Sequence, residues 1–501
     1  MGRHLRLPDE LLLEVFDYIY VPSDNHNTST GTIERVVRAV CRRWYELIWA
    51  TPRYWRAIQV CRRSKWLGLC LSRAASSNIS VDVTFHRADL PGPHLVLQAV
   101  YKPLIRSLFF ALDESATSTR DSCHILSSSF PNLERLSFSL SVAGNLKHFS
   151  SPLIVSPRLI PNVQELAFSS VSFPRIFSQY RSLRVLKLSA WWGHHVTFDE
   201  LLDTLETCKY IEELILSGLL RSGESLPEGI DEPLRRPKII LSHLCSLTLD
   251  HSHESFCNRH ILSHLHLPAI VALEVTDDVS DFRRREFLDE LSNDTFATLL
   301  PSDHSGILPF LPTIAEVKLS ALGWDDAELS GRNSASGTAF KLMLSRQDSQ
   351  DQPTWGMLTS SCLESLIRII SDKVTRMHLN VDFGRLAAQC FESIFPATPR
   401  LESLVLTGSG KLDCVLDASR PLAFSTSLTA MKPGDNVAEA TLAPLRASET
   451  LVPGLKSLRI GDTESRFCDV NVLKDVHQTL RIRDMAGLHL GSLDLCLMHK
   501  T

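Results

Sequence analysis

Six prolines constrain what this chain can fold into more than any other feature of it. Each stands two residues ahead of a six-residue unit that is apolar at its first, fourth and sixth places. They are Pro131-Asn132-Leu133, Pro161-Asn162-Val163, Pro268-Ala269-Ile270, Pro312-Thr313-Ile314, Pro399-Arg400-Leu401 and Pro453-Gly454-Leu455. The apolar unit alone says little. About a third of the 501 residues are Leu, Ile, Val, Met or Phe, so chance supplies roughly 16 such units. With 25 prolines in the chain, chance puts a proline at that place about once. Units begin at Ile105, Leu133, Val163, Leu183, Ile211, Leu244, Ile270, Ile314, Val374, Leu401, Leu455 and Leu490, and several gaps between them are about 26 to 30 residues.

Each unit alternates as a half-buried strand does. Phe198-Asp199-Glu200-Leu201-Leu202-Asp203-Thr204-Leu205, between two units, reads as a helix. A strand that buries one side against a following helix is not stable alone, so neighbours must stack into a parallel sheet. The proline is expected to stop the preceding helix and straighten the chain into the strand. Residues 78–501 thus resemble a divergent leucine-rich-repeat domain. The resemblance implies an α/β fold, an irregular solenoid of parallel strands with helices on its convex side. The asparagine that many such repeats place after the strand is mostly missing, and a mixed α/β domain of another kind stays open. Three stretches break the spacing, near 218–238, 320–356 and 407–450. The second, rich in Gly, Ser, Asn, Asp and Gln, is expected to be partly disordered.

The first 60 residues have a different pattern. Pro8 suits a first helical turn, and Asp9 and Glu10 follow it at the positive end of the helix dipole. Leu12, Val15, Phe16 and Ile19 recur at helical spacing, with Leu11 and Leu13 flanking them. A polar loop follows. A second helix is expected over residues 33–49, with Ile33, Val36, Val37, Val40, Trp44 and Ile48 on one face. Pro52 ends it, with Tyr54 and Trp55 as large anchors just beyond. So small a module carries more apolar surface than it can bury by itself. A linking helix over 61–77, including Ser64 to Arg73, leads to an alternating strand at Ile79 to Phe85.

Leu7-Pro8, the apolar first helix, Val40-Cys41-Arg42-Arg43-Trp44 and Pro52-Arg53-Tyr54-Trp55 occur in the order found in an F-box, which residues 1–60 resemble. The loop over residues 21–32 is longer than the family's usual turn. The resemblance implies that the protein is the substrate receptor of a Skp–cullin–F-box ubiquitin ligase. It would bind the Skp adaptor, and through it a cullin, with Leu7, Pro8, Leu12, Phe16, Val40, Cys41, Trp44 and Pro52, while Trp55 packs toward the following domain. A plain helical hairpin capping a non-ligase repeat scaffold is the competing reading.

The place between the last two apolar positions of each unit should face a target protein. Lys187, Lys318, His378 and Arg459 hold it in four units, against Glu274 and Asp494 in others. That mixture argues against phosphate or nucleic-acid capture, and a net charge of -5 gives no polybasic field. Trp191-Trp192-Gly193-His194-His195 could add an aromatic hot spot. No Gly-rich phosphate loop, Gly-x-Ser-x-Gly elbow or His-Glu-x-x-His motif is present, so no catalytic residue and no cofactor are expected. His251, His253, Cys257 and His260 lack a second ligand pair, and none of the 12 cysteines forms Cys-x-x-Cys, so no metal is expected. No run reaches the length of a membrane span. The charged, proline-containing start does not read as a secretory signal, and reduced cysteines fit the cytoplasm or nucleus.

Overall fold

The computed structural model describes residues 7–19, 40–60, 64–86, 98–113, 125, 127–141, 156–169, 180–189, 198–218, 237–251, 257–278, 308–321, 326–333, 335–345, 352–370, 373–382, 388–409, 454–461, 477–478, 480–481, 483–485 and 487–496. The chain forms two compact units, Met1–Leu219 and Leu220–Thr501.

The first unit opens with helix α1, Asp9–Ile19. It starts one residue later than expected, with the Leu12 amide donating to the Pro8 carbonyl at 3.2 Å. The expected continuous helix over 33–49 is interrupted. Cys41 is extended (φ -164, ψ 163) and helix α2 runs Arg42–Ala50, its first turn closed by the Tyr45 amide on the Cys41 carbonyl at 3.2 Å. The break re-aims Trp44 and Ile48 toward α1. A 3-10 turn, Pro52–Trp55, passes straight into strand β1, Ala57–Val60, so the end of the expected helical module is already the first strand of the sheet. Helix α3, Ser64–Ser76, buries Leu67, Cys70, Leu71 and Ala74 before strand β2, Val81–His86.

Strands β3 (Ile105–Asp113), β4 (Arg135–Ser141), β5 (Glu165–Ser169), β6 (Val185–Ser189) and β7 (Glu213–Ser217) follow, with helix α4, Phe198–Thr207, between the last two. From β1 to β7 every strand is parallel to its neighbour, in chain order. From β3 to β7 the fourth and sixth places of the units are buried, as at Leu136 and Phe138 or Leu186 and Leu188. Matching places face each other across the register. Phe85, Phe110, Phe138 and Phe168 therefore stack in one ladder, ring centroids 5.1, 4.6 and 6.1 Å apart.

The proline has a role beyond the expected one, which Pro399 does show two residues after a helix that ends at Ala397. The first apolar residue of a unit closes a turn onto the carbonyl three residues back: Leu133 on Phe130, Val163 on Ile160, Ile270 on Leu267, Ile314 on Leu311 and Leu401 on Thr398. The proline is the second residue of each of these turns, where its fixed φ is already correct. Leu183 on Tyr180, Ile211 on Cys208 and Leu244 on Leu241 make the same turn without proline. The residue accepting each turn bond is buried, so the unit has a fourth buried place three residues ahead of its first. In the Pro-Asn units the asparagine ties neighbours together: Asn132 Nδ2 donates to the Pro103 carbonyl and Asn162 Nδ2 to that of Pro131, each at 2.7 Å.

The second unit contains strands β8 (Ile239–Ile240), β9 (Ser246–His251), β10 (Leu265–His266) and β11 (Ala272–Asp278), with helix α5, Cys257–Ser263, before β10. β8 and β10 form a separate parallel pair. Strand β12, Glu316–Ala321, does not join β11. Instead the chain doubles back through β13, Asp326–Asn333, and β14, Thr338–Ser345. β13 is antiparallel to both neighbours, and β14 lies parallel against β11. Within the stretch 320–356, expected to be partly disordered, residues 326–333 and 335–345 form a hairpin inside the sheet, while 322–325, 334 and 346–351 lie outside the described residues. Ala327 and Leu329, with Phe340, Leu342 and Leu344, alternate into the core, which is what makes it a strand pair.

Helix α6, Gln352–Ile370, leads to β15, Arg376–Asp382, and α7, Ala388–Ala397, to β16, Ser403–Ser409. β17 (Ser457–Gly461) and β18 (Ser492–Cys496) complete a run that is parallel from β12 through β15 to β18. Each unit is thus a helix-bearing, mostly parallel sheet assembly. No described helix is long and apolar enough to cross a membrane. Nearly all of the expected breaks at 218–238 and 407–450 lie outside the described residues.

Candidate functional site

The N-terminal module is built round one aromatic centre. Phe16 is fully buried, edge-on to Trp44 at 5.0 Å and to Tyr54 at 6.3 Å. Leu12, Ile48 and Tyr54 complete the core, with Leu13, Trp44 and Leu47 half-buried against it. Leu12 and Phe16 were expected as contact residues; the structure corrects this, because side chains 2% and 0% exposed hold up a surface and cannot form one.

The surface itself is a second apolar stripe on α1. Leu7, Leu11, Val15 and Val40 are 42–51% exposed and Tyr18 is 89% exposed. Leu11, Val15 and Tyr18 follow each other at helical spacing, so they share one face. Two polar clamps fix that face. Arg43 Nη2 donates to the Leu7 carbonyl at 2.7 Å, and Arg43 Nε to Asp9 Oδ1 at 3.1 Å. These bonds hold the start of α1 beside the Cys41 break, so Leu7 and the exposed Val40 and Cys41 belong to one end of the module. At the other end the Tyr54 hydroxyl sits 3.0 Å from the Leu13 carbonyl and 2.9 Å from Asp17 Oδ1, and Arg53 pairs with Asp17 at 2.8 Å. Burial pushes the Tyr54 phenol up to about 12; the Arg53 hydrogen bond opposes this and that of Asp17 adds to it. Pro8 is exposed, while Trp44 and Pro52 are half-buried beside the clamps.

The module is fastened to the sheet of its own unit. Trp55 is buried and meets Trp49 edge-on at 5.0 Å. The Arg73 guanidinium lies 4.8 Å from the Trp49 ring, and the Asp82 amide donates to the Arg56 carbonyl at 2.7 Å.

On the solvent side of the sheets, the expected target-facing cations stand among carboxylates. Lys187 lies 3.0 Å from Glu165 and 3.6 Å from Glu213 on the flanking strands. Burial by itself lowers its pKa, but the two carboxylates outweigh that and hold it above the usual lysine value. In the second unit the row runs Thr248, Glu274, Lys341, Ser330, Lys318, His378, Val405, Arg459, Asp494 in register. Lys341 and Ser330 were missed because the hairpin was. Lys341 contacts Glu274 at 2.8 Å and Glu328 at 3.9 Å, Lys318 contacts Glu328 at 3.9 Å, and Arg459 contacts Asp494 at 3.4 Å. His378 is half-buried, 3.1 Å from Thr407 Oγ1. Burial, then Lys318 and Arg459, lower its pKa below the usual 6.5. Lys187 and the Lys318–His378–Arg459 group lie in different units. Trp191 and Trp192 lie outside the described residues.

Among the described residues, no group of three or more His, Cys, Asp or Glu side chains is placed to hold a metal ion. No curated protein matches the chain. The F-box-like family matches residues 4–61, and the chain carries an F-box-like domain there.

Proposed function

We propose that the protein is the substrate-recognition subunit of a Skp–cullin–F-box ubiquitin ligase. The observation that carries this reading is the exposed stripe Leu11, Val15, Tyr18 on α1, with Leu7 just ahead of it, standing over an aromatic core in an F-box-like domain. F-box domains typically bind Skp-type adaptors. An apolar stripe with a polar margin, Arg43–Asp9 at one end and Arg53–Asp17 at the other, suits a helical partner laid along it. In this reading the stranded region is a divergent leucine-rich-repeat array and presents a protein target from the solvent side of its sheets.

The protein itself performs no bond chemistry in this proposal. It raises the effective concentration of the target at a conjugating enzyme bound elsewhere on the cullin, in the cytoplasm or nucleus. Capture of purified Skp adaptor by the full-length chain tests it. The expected result is a complex that survives gel filtration and is lost when residues 1–61 are removed. Absence of the complex with the intact chain would leave a repeat scaffold without a ligase role.

A further inference from the structure

Lys318 on β12, His378 on β15 and Arg459 on β17 share one row, with Val405 of β16 between the last two. At about 4.8 Å per strand, Lys318 is one strand from the imidazole and Arg459 two. A relay of side chains orients that imidazole. Asn380 Nδ2 donates to Ser320 Oγ at 3.3 Å, which leaves Asn380 Oδ1 as an acceptor for the Thr407 hydroxyl at 3.0 Å. A hydroxyl has one proton, so Thr407 Oγ1 then accepts from His378 Nε2 at 3.1 Å. The neutral ring proton is thereby set on Nε2. His378 Nδ1 has no hydrogen-bond partner among the described residues. Lys318 Nζ meets only Glu328 there, at 3.9 Å, and that carboxylate is shared with Lys341 at the same distance.

An ammonium without a hydrogen bond beside an open imidazole nitrogen is a two-point receptor for a carboxylate. We propose that this corner captures an acidic side chain, Asp or Glu, in a peptide segment of the target protein. One oxygen accepts from Lys318 Nζ, the other from His378 Nδ1, and the imidazole takes up one proton from solvent as the complex forms. The proposal names the chemistry of the target and rests on the reading of the sheet as the target-binding surface.

The charged groups round the ring decide the sign of its pH dependence. Lys318 and Arg459 oppose its protonation; Glu328 is divided between two lysines, Glu274 is taken by Lys341, and Asp494 by Arg459. On its own strand Arg376 is held by Glu316 at 2.9 Å. The free ring is therefore neutral at pH 7, its pKa below 6.5. A bound carboxylate favours the charged ring and raises that pKa. Binding then strengthens as pH falls toward 6.

The test uses the full-length chain and fluorescein-labelled Gly/Ser decapeptides carrying Asp-Glu-Asp or Asn-Gln-Asn at their centre, read by fluorescence anisotropy. The acidic peptide should bind and the amide peptide should not, and its Kd should fall about fivefold from pH 7.5 to 6.0. His378→Gln should flatten the pH dependence, and Lys318→Met should weaken binding about fivefold at both pH values. Equal binding of the two peptides, or an unchanged pH slope in His378→Gln, overturns the proposal. So does binding of a phosphoserine peptide without binding of the carboxylate peptide. Adaptor capture is measured on the same proteins. Its loss with acidic-peptide binding kept removes the ligase reading and leaves this one standing.

Discussion

Phe16→Ala and Leu11→Glu separate the two jobs of α1 at the level of single side chains. Phe16 is wholly enclosed between Trp44 and Tyr54, so truncation should cost about 3–5 kcal/mol in denaturant unfolding of the module. Leu11 is 44% exposed, so Leu11→Glu should leave that unfolding within about 0.5 kcal/mol of the parent. Helical spacing could find both apolar stripes of α1 but could not say which faced inward. Leu12 and Phe16 were expected to meet the partner, and Val15 was grouped with them on one face, because a helix apolar on two sides has no polar face to orient it. The Cys41 break was not legible either: Val40 and Trp44 fit one period whether or not a residue between them is extended.

Cysteine chemistry tests the same surface. Cys41 and Cys245 are exposed, whereas Cys70, Cys208 and Cys362 are buried. Burial pushes the Cys208 thiol up to about 11, against a smaller opposing effect of Thr207. At pH 8 iodoacetamide should label Cys41 and Cys245 about a hundredfold faster than Cys208, as read by mass spectrometry of the native protein. Saturating Skp adaptor should protect Cys41 and leave Cys245 unchanged. Equal labelling of Cys41 with and without adaptor would separate the Cys41 end of the module from the docking face.

Among elements, the strands were far more legible than what joins them. Every unit read from the sequence runs into a strand, because apolar fourth and sixth places are the buried side of a two-residue alternation. The proline was found, but its local role was only half seen. At Pro399 it does follow a helix end, α7 closing at Ala397, but in each of the five described units it is also the second residue of a tight turn whose first residue is buried, as in Phe130-Pro131-Asn132-Leu133. That extra buried place was in the sequence at Phe130, Ile160, Leu267 and Leu311, and a six-residue window was too short to see it.

The hairpin β13–β14 was hidden by composition. Gly331, Gly337 and the serines around them resemble a linker, yet Ala327, Leu329, Phe340, Leu342 and Leu344 keep strict alternation on either side. Gly331 is tightly packed: a Cβ there would lie 2.9 Å from Ile314 Cγ2. Gly331→Val should cost about 1–3 kcal/mol by overpacking. Gly337 has a positive φ of 72 and open space around its Cβ position, so Gly337→Ala should cost about 1 kcal/mol through backbone strain alone. Urea unfolding monitored within residues 308–382 by hydrogen exchange checks both. A larger loss at Gly337 than at Gly331 would contradict this packing.

Across the whole molecule, sequence and structure are informative to different degrees. The F-box-like match ends at residue 61, and the remaining chain is characterised by its strand architecture and by a solvent face of interleaved charges. Exposed ion pairs of this kind contribute little stability each, about 0–1 kcal/mol. A row of exposed and half-buried Lys, Glu, His and Arg is therefore better suited to selecting a partner than to holding a sheet together. Candidate target residues were partly legible because the central place of each unit points to solvent. Lys341 and Ser330 were not, since they enter that row only through the returning hairpin. Trp191 and Trp192 lie outside the described residues.

The outer stripe of α1 is the proposed binding surface for the Skp adaptor. Isothermal titration of that adaptor into the full-length protein and into a Leu11→Glu, Val15→Glu variant, with thermal unfolding of both, tests this directly. The predicted result is a loss of affinity of at least about a hundredfold, roughly 2.7 kcal/mol, with no change in Tm. Undiminished affinity in a variant that is folded like its parent would contradict it.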